Sequence, residues 1–249
     1  MYTGQLNEFF LAAAEHGDVN VIKKILAHSC VDANSIAIDL AARAGHVEVV
    51  RLLLKDGRIN PGADDNYAIR WAARRGHTEV VRLLLEDGRV DPTDVNDEAI
   101  RLAIQKGHVE IVKLLIEHGC DPDDSNSIAT AAERGHTDMV KLLLHYVSPR
   151  AIDIGTVVAD GYTEIVRLLL DDEQFDPCVE SNVALRTAIA YDHAEILEML
   201  MADPRVKPYV SVKLPNIFVF LPNPIGPNAM NMIIKNNYPL FHSCLELIQ

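Results

Sequence analysis

The sequence predicts an all-α solenoid of stacked helix pairs followed by a divergent C-terminal cap. Three observations carry that expectation. A block of fourteen residues recurs: AARAGHVEVVRLLL at Ala41–Leu54, AARRGHTEVVRLLL at Ala72–Leu85, AIQKGHVEIVKLLI at Ala103–Ile116 and AAERGHTDMVKLLL at Ala131–Leu144. Weaker copies begin at Ala13, Val157 and Ala188, and the marker glycines Gly17, Gly45, Gly76, Gly107, Gly135 and Gly161, with Asp192 in the seventh place, are 28, 31, 31, 28, 26 and 31 residues apart. A near-regular period of that length is the mark of a repeat architecture. Hydrophobic residues make up 49% of the 249 but aromatics only 6%, so the core must be aliphatic.

Each copy reads as two helices around the Gly-His step. The first helix is short and small-faced, with pairs such as Ala41–Ala42 and Ala72–Ala73 that let neighbouring backbones approach closely. An asparagine stands before it as an expected N-cap: Asn34, Asn66, Asn96, Asn126 and Asn182. The second helix carries the larger apolar set, for example Val80, Val81, Leu83, Leu84 and Leu85. Glu79 lies in its first turn, where a carboxylate suits the helix dipole. Then come Asp56-Gly57-Arg58-Ile59-Asn60-Pro61 and Asp87-Gly88-Arg89-Val90-Asp91-Pro92, in which glycine fits a C-cap and proline forbids continuation. The link HYVSPRAI between Leu144 and Asp153 lacks this element, so an atypical turn is expected there.

The recurring motif Ala-Ala-x-x-Gly-His-x-Glu-Val-Val-x-Leu-Leu-Leu resembles the ankyrin repeat, over roughly residues 4 to 206. The family's Thr-Pro-Leu-His opening is absent; Tyr67-Ala68-Ile69-Arg70, Glu98-Ala99-Ile100-Arg101 and Val183-Ala184-Leu185-Arg186 stand in its place. The resemblance implies an ankyrin-repeat array of about seven repeats at 1–206 and a capping segment at 207–249. It also implies a non-catalytic protein–protein interaction scaffold that binds its partner on the concave surface of turns and inner helices. In that family the two residues before the repeat glycine commonly face the ligand. Here they are Arg43–Ala44, Arg74–Arg75, Gln105–Lys106 and Glu133–Arg134, with Arg70 and Arg101 one helical turn earlier. The expected partner-binding set is therefore Arg43, Arg70, Arg74, Arg75, Arg101, Gln105, Lys106, Glu133 and Arg134. Its seven cations suit an acidic partner segment; the competing expectation is that Asp64, Asp65, Asp94, Asp97, Asp123 and Asp124 in the turns neutralise them.

Composition removes other classes. With 23 Lys+Arg against 36 Asp+Glu the chain carries −13, so neither nucleic acid nor an anionic membrane is an expected partner. Cys30, Cys120, Cys178 and Cys244 are far apart, which fits free thiols in a reducing compartment. With no basic region leading an apolar run near Met1 and no stretch of ~20 apolar residues, an intracellular, cytoplasmic and monomeric protein is expected. No nucleophile, phosphate-cradling or metal motif appears, so no enzyme activity, cofactor or metal is expected. His46, His77, His108, His136 and His193 hold one place in five copies, which reads as a structural role. Trp71, the only tryptophan, holds the place of Leu40 and Leu102 and is expected in the core.

The tail breaks the pattern. Six of twelve prolines fall between Pro208 and Pro239; Asn216–Leu221 (NIFVFL) is a candidate short strand, and 229–248 a degenerate eighth helix pair. Pro239-Leu240-x-x-x-Cys244-x-x-x-Ile248 resembles the elongin-binding box of ubiquitin-ligase adaptors. That implies an alternative function as a substrate adaptor; the same i, i+4, i+8 spacing equally suits a capping helix.

Overall fold

The computed structural model describes residues 2–27, 35–122, 126–206 and 226–235, and their regular structure is entirely helical: fifteen α-helices and one 3-10 turn. Met1–Ser127 and Ile128–Gln249 form two compact units. The first contains α1 (Tyr2–His16), α2 (Val19–Leu26), α3 (Ile36–Ala44), α4 (Val47–Asp56), α5 (Ala63–Arg75), α6 (Thr78–Asp87), α7 (Asp94–Lys106) and α8 (Val109–Glu117). Its inner helices pack in the order α1, α3, α5, α7, and its outer helices in the order α2, α4, α6, α8. Ala41, Ala42, Ala72, Ala73 and Ala103 are wholly buried on the inner layer, while Val50, Leu53, Val81, Leu84, Val112 and Leu115 are wholly buried on the outer one. Burying one such large aliphatic side chain stabilises by about 1.5–3 kcal/mol. The layering therefore follows from the Ala-rich and Leu-rich halves of each repeat.

The Gly-His step couples neighbouring repeats. Gly45 and Gly76 close their helices in the left-handed region, at φ +81° and +82°. The imidazole of the following repeat lies against each: a Cβ on Gly45 would fall 2.6 Å from His77, and one on Gly76 would fall 2.7 Å from His108. The same rings use Nε2 on carbonyls of the preceding inner helix, His46 on Glu15 (2.8 Å), His77 on Arg43 (3.1 Å) and His108 on Arg74 (3.3 Å). These carbonyls lie in the last turn, where helices leave acceptors unsatisfied.

A second coupling runs through the Asp-x-Arg elements. Arg58 forks onto Asp56 (2.6 and 2.9 Å) and reaches the Leu26 carbonyl at 3.1 Å. Arg89 forks onto Asp87 and donates to the carbonyls of Ile59 (2.9 Å) and Leu54 (3.2 Å). In each case a guanidinium held by its own aspartate satisfies the preceding repeat's outer-helix end.

The helix starts differ from the sequence expectation. Asn66, Asn96 and Asn182 are not N-caps; all three have positive φ, at 57°, 55° and 62°. Asp64–Asn66 and Val95–Asp97 each form one left-handed turn ahead of the regular helix. Asn66 is buried there, accepting from the Asp91 N–H (3.0 Å) and donating to Asp94 (2.8 Å), so it ties the turns of two repeats. Asp97 is its counterpart in the next repeat, accepting from the Asp121 N–H.

The second unit contains α9 (Ser127–Glu133), α10 (Thr137–Leu143), α11 (Ile154–Ala159), α12 (Thr163–Asp171), α13 (Val179–Ala190), α14 (Ala194–Ala202) and α15 (Pro227–Lys235). Within it α10, α12 and α14 pack in sequence, α11 packs on α13, and α15 on α14. The atypical link holds a 3-10 turn at Pro149–Ala151, after which Asp153 caps α11 through the Gly155 and Thr156 amides. Tyr162 replaces histidine against Gly135, and His193 restores the usual contact with Gly161 and the Ala159 carbonyl. Arg205 repeats the fork on Asp203 and donates to the carbonyls of Leu170, Asp172 and Phe175. Asp192, in the seventh glycine place at φ +61°, caps α15 by accepting from the Asn228 and Ala229 amides. Asn34, the NIFVFL segment and Pro239, Leu240, Cys244 and Ile248 lie outside the described residues.

Candidate protein-binding surface

The expected partner-binding residues fall into two sets. Arg43, Arg70, Arg74, Arg75, Arg101, Gln105 and Lys106 lie on α3, α5 and α7, inner helices that pack consecutively in the first unit. Glu133 and Arg134 belong to the second unit, where both are exposed. The first set forms a strip because the same two or three places recur on each inner helix. Arg43, Arg74 and Gln105 occupy one place, and Arg75 and Lys106 the next.

The centre of the strip is aromatic as well as basic. Trp71 is half-buried rather than a core residue, and the Arg74 guanidinium lies over its ring at 4.6 Å. Arg75 approaches the same ring at 5.9 Å, and the Tyr67 and Trp71 rings are 5.5 Å apart and tilted by 36°. Arg70 in turn lies 5.9 Å over Tyr67. The cause is helical spacing: positions 67, 70, 71, 74 and 75 share one face at i, i+3 and i+4. A guanidinium resting on an aromatic face keeps its N–H edge free and its plane fixed, the arrangement that grips a carboxylate with two hydrogen bonds.

Among the described residues neutralisation of the strip is partial and comes from glutamates on inner helices; Asp123 and Asp124 lie outside the described residues. Arg43 pairs with Glu15 at 3.3 Å, and Arg70 pairs with Glu98. Arg70 also donates to the Asp64 carbonyl (3.2 Å). Arg101 donates to those of Asn96 (3.1 Å) and Val95 (3.4 Å), so both arginines brace the left-handed turn of their own repeat. Asp64, Asp65, Asp94 and Asp97 form no salt bridge with the strip among the described residues, and neither Arg74, Arg75 nor Lys106 forms a salt bridge there.

One buried acid adjoins the strip and was not singled out by the sequence. Asp39 occupies on α3 the place of Arg70 and Arg101 and is 7% exposed, with its Oδ1 unpartnered. Burial, reinforced by Asp64 and opposed by Arg70, pushes its carboxyl up to about 7. Its signal in the sequence is an acid in a place that Arg70, Arg101 and Arg186 hold in three other copies.

Elsewhere the ionisable groups serve structure. Hydrogen bonds from Arg58 and Arg205 hold the carboxyls of Asp56 and Asp203 below the usual range. Burial pushes the Cys120 thiol up to about 12, so it stays protonated, and it donates to the Pro92 carbonyl. Among the described residues no group of three His, Cys, Asp or Glu side chains is placed to hold a metal ion, and no helix is long and apolar enough to cross a membrane.

The family model described as ankyrin repeats (3 copies) matches residues 9–96 and 89–155, more than half of the chain. No curated protein sequence matches significantly. Ankyrin repeats generally mediate protein–protein interaction and are typically non-catalytic. The helix pairs, the Gly-His coupling between them and the matching family model together show that this chain belongs to the ankyrin repeat family.

Proposed function

We propose that the chain is a non-catalytic binding module whose inner-helix strip on α3, α5 and α7 receives an acidic segment of a partner protein. One observation carries this reading. In a chain of net charge −13, Arg74 and Arg75 gather on the half-exposed Trp71 with no salt bridge among the described residues. Tryptophan and arginine are the residue types that dominate binding energy at interfaces. Complementary charge would add on-rate and register. Arg74, Arg75 and Lys106 are the open cations of this site, and Arg43, Arg70, Arg101 and Gln105 flank them. The pair Glu133–Arg134 has no net charge and adds nothing to the attraction.

The segment from 207 onward is read as the array's cap, supported by the Asp192 contacts that anchor α15. Solenoids need an end that shields the last repeat.

Fluorescence anisotropy with a rhodamine-labelled oligoglutamate peptide tests the binding reading. Binding should weaken steadily with added salt and vanish in the double variant Arg74→Glu, Arg75→Glu, whose circular dichroism stays native. A flat salt dependence with undiminished affinity in that variant would move the site elsewhere.

A further inference from the structure

We infer that Asp39 is a proton-operated modulator of the strip: its carboxyl, buried on α3 beside Arg70, loses its charge on acidification and so strengthens the hold on an acidic segment. The inference rests on the reading of the strip given above.

The geometry supplies the reason. Asp39, Arg70 and Arg101 hold one place on three consecutively packed inner helices, so a carboxyl stands in line with two guanidiniums. The side chain is almost wholly buried, yet its Oδ1 accepts no hydrogen bond, and the Nε of Arg70 is likewise buried without a partner. An oxygen so placed has lost water without gaining a donor, which favours the neutral form of its carboxyl.

The charged groups around it are few. From α5 they are Asp64, which opposes ionisation, and Arg70, which favours it. Arg70 is already divided between Glu98 and the Asp64 carbonyl. On α3 itself Arg43 lies one turn further on and is engaged by Glu15 of α1. The other helices that pack on α3 are α1 and α4, whose buried residues include Phe10, Ala13 and Ala14, and Val49, Val50 and Leu53. The balance places the carboxyl at about 7, so the strip sheds one negative charge as the medium passes from mildly alkaline to mildly acidic. A peptide carboxylate arriving near Arg70 repels the ionised Asp39. Binding and protonation must therefore favour one another, because coupling between two sites is reciprocal.

The test compares wild type with Asp39→Asn, which keeps the shape and removes the titration. Anisotropy with the rhodamine-labelled oligoglutamate is measured on both proteins in mildly acidic and mildly alkaline buffer. Wild type should bind roughly fivefold tighter in acid, the scale of one exposed charge contact. The variant should bind with the tighter affinity in both buffers. The variant keeps every other ionisable group, so the comparison isolates the share of Asp39. Equal pH responses in the two proteins would overturn the inference while leaving the strip intact. Absence of binding at either pH would overturn the strip as the site, and this inference with it. Calorimetry in buffers of different ionisation enthalpy gives a second readout on both proteins. Proton uptake on peptide binding that is smaller in Asp39→Asn supports the inference, and equal uptake in the two contradicts it.

Discussion

The imidazole of His77 lies so close to Gly45 that a Cβ on the glycine would fall 2.6 Å from the ring. The contact joins two repeats, and it uses both halves of the Gly-His signature at once. The glycine of one repeat provides the left-handed turn and the bare Cα, and the histidine of the next fills the space and donates to the Arg43 carbonyl. Gly45→Ala should therefore cost more than its backbone term. A non-glycine residue at that φ costs about 1–2 kcal/mol, and overpacking adds about 1–3 kcal/mol. Urea denaturation should show the total. Adding His77→Ala should recover part of the loss, a coupling that a double-mutant cycle isolates.

The forks of the Asp-x-Arg elements predict a loss confined to neutral pH. Arg205 binds Asp203 and three carbonyls, and its hydrogen bonds hold the Asp203 carboxyl below the usual range. A depressed folded-state value means stability that is present above the ordinary carboxylate pKa and disappears as pH falls through the lower one. Asp203→Asn should thus lose about 1–3 kcal/mol at neutral pH. Chemical denaturation across an acid series should show that deficit shrink as the wild-type carboxyl is protonated.

Asp39 predicts the opposite sign. Its folded value of about 7 lies above the unfolded one, so the folded chain keeps a proton that the unfolded chain has released. Stability from this group is full below the unfolded pKa and is lost as pH rises through about 7. Asp39→Asn should raise stability at mildly alkaline pH by the order of 2–4 kcal/mol and leave it almost unchanged near pH ~4. Thermal melts of both proteins across that range provide the check.

Asp192 predicts how α15 is held. Its carboxylate takes the Ala229 amide at 2.6 Å and the Asn228 side-chain amide at 2.8 Å. Losing such a cap costs about 1 kcal/mol. Hydrogen exchange should quicken across Pro227–Lys235 in Asp192→Gly, where the positive φ is kept free of strain and only the cap is lost. Unchanged exchange would mean that α14 alone holds the helix.

The repeat and its two layers were legible because period, small-residue pairs and Leu triplets are local signals. Helix starts were not, since an asparagine tolerates the left-handed region and caps a helix equally well; Val95 at φ +54° has no local signal at all. Trp71 was misread from its alignment with Leu40 and Leu102, although those two are themselves half-buried. What marked it out was arginine at i+3 and i+4. The forks of Arg58, Arg89 and Arg205 escaped notice because their targets lie some thirty residues back, in another repeat.

Trp71 makes the central claim directly measurable. It is the only tryptophan in the chain, and Arg74 covers its ring at 4.6 Å. An acidic segment that engages Arg74 and Arg75 must alter the surroundings of that indole. Titrating an unlabelled oligoglutamate peptide into the protein should produce a saturable change in intrinsic fluorescence that added salt reverses, with an oligolysine control giving none. An unchanged spectrum under conditions where the labelled peptide demonstrably binds would contradict the assignment of the partner to this strip.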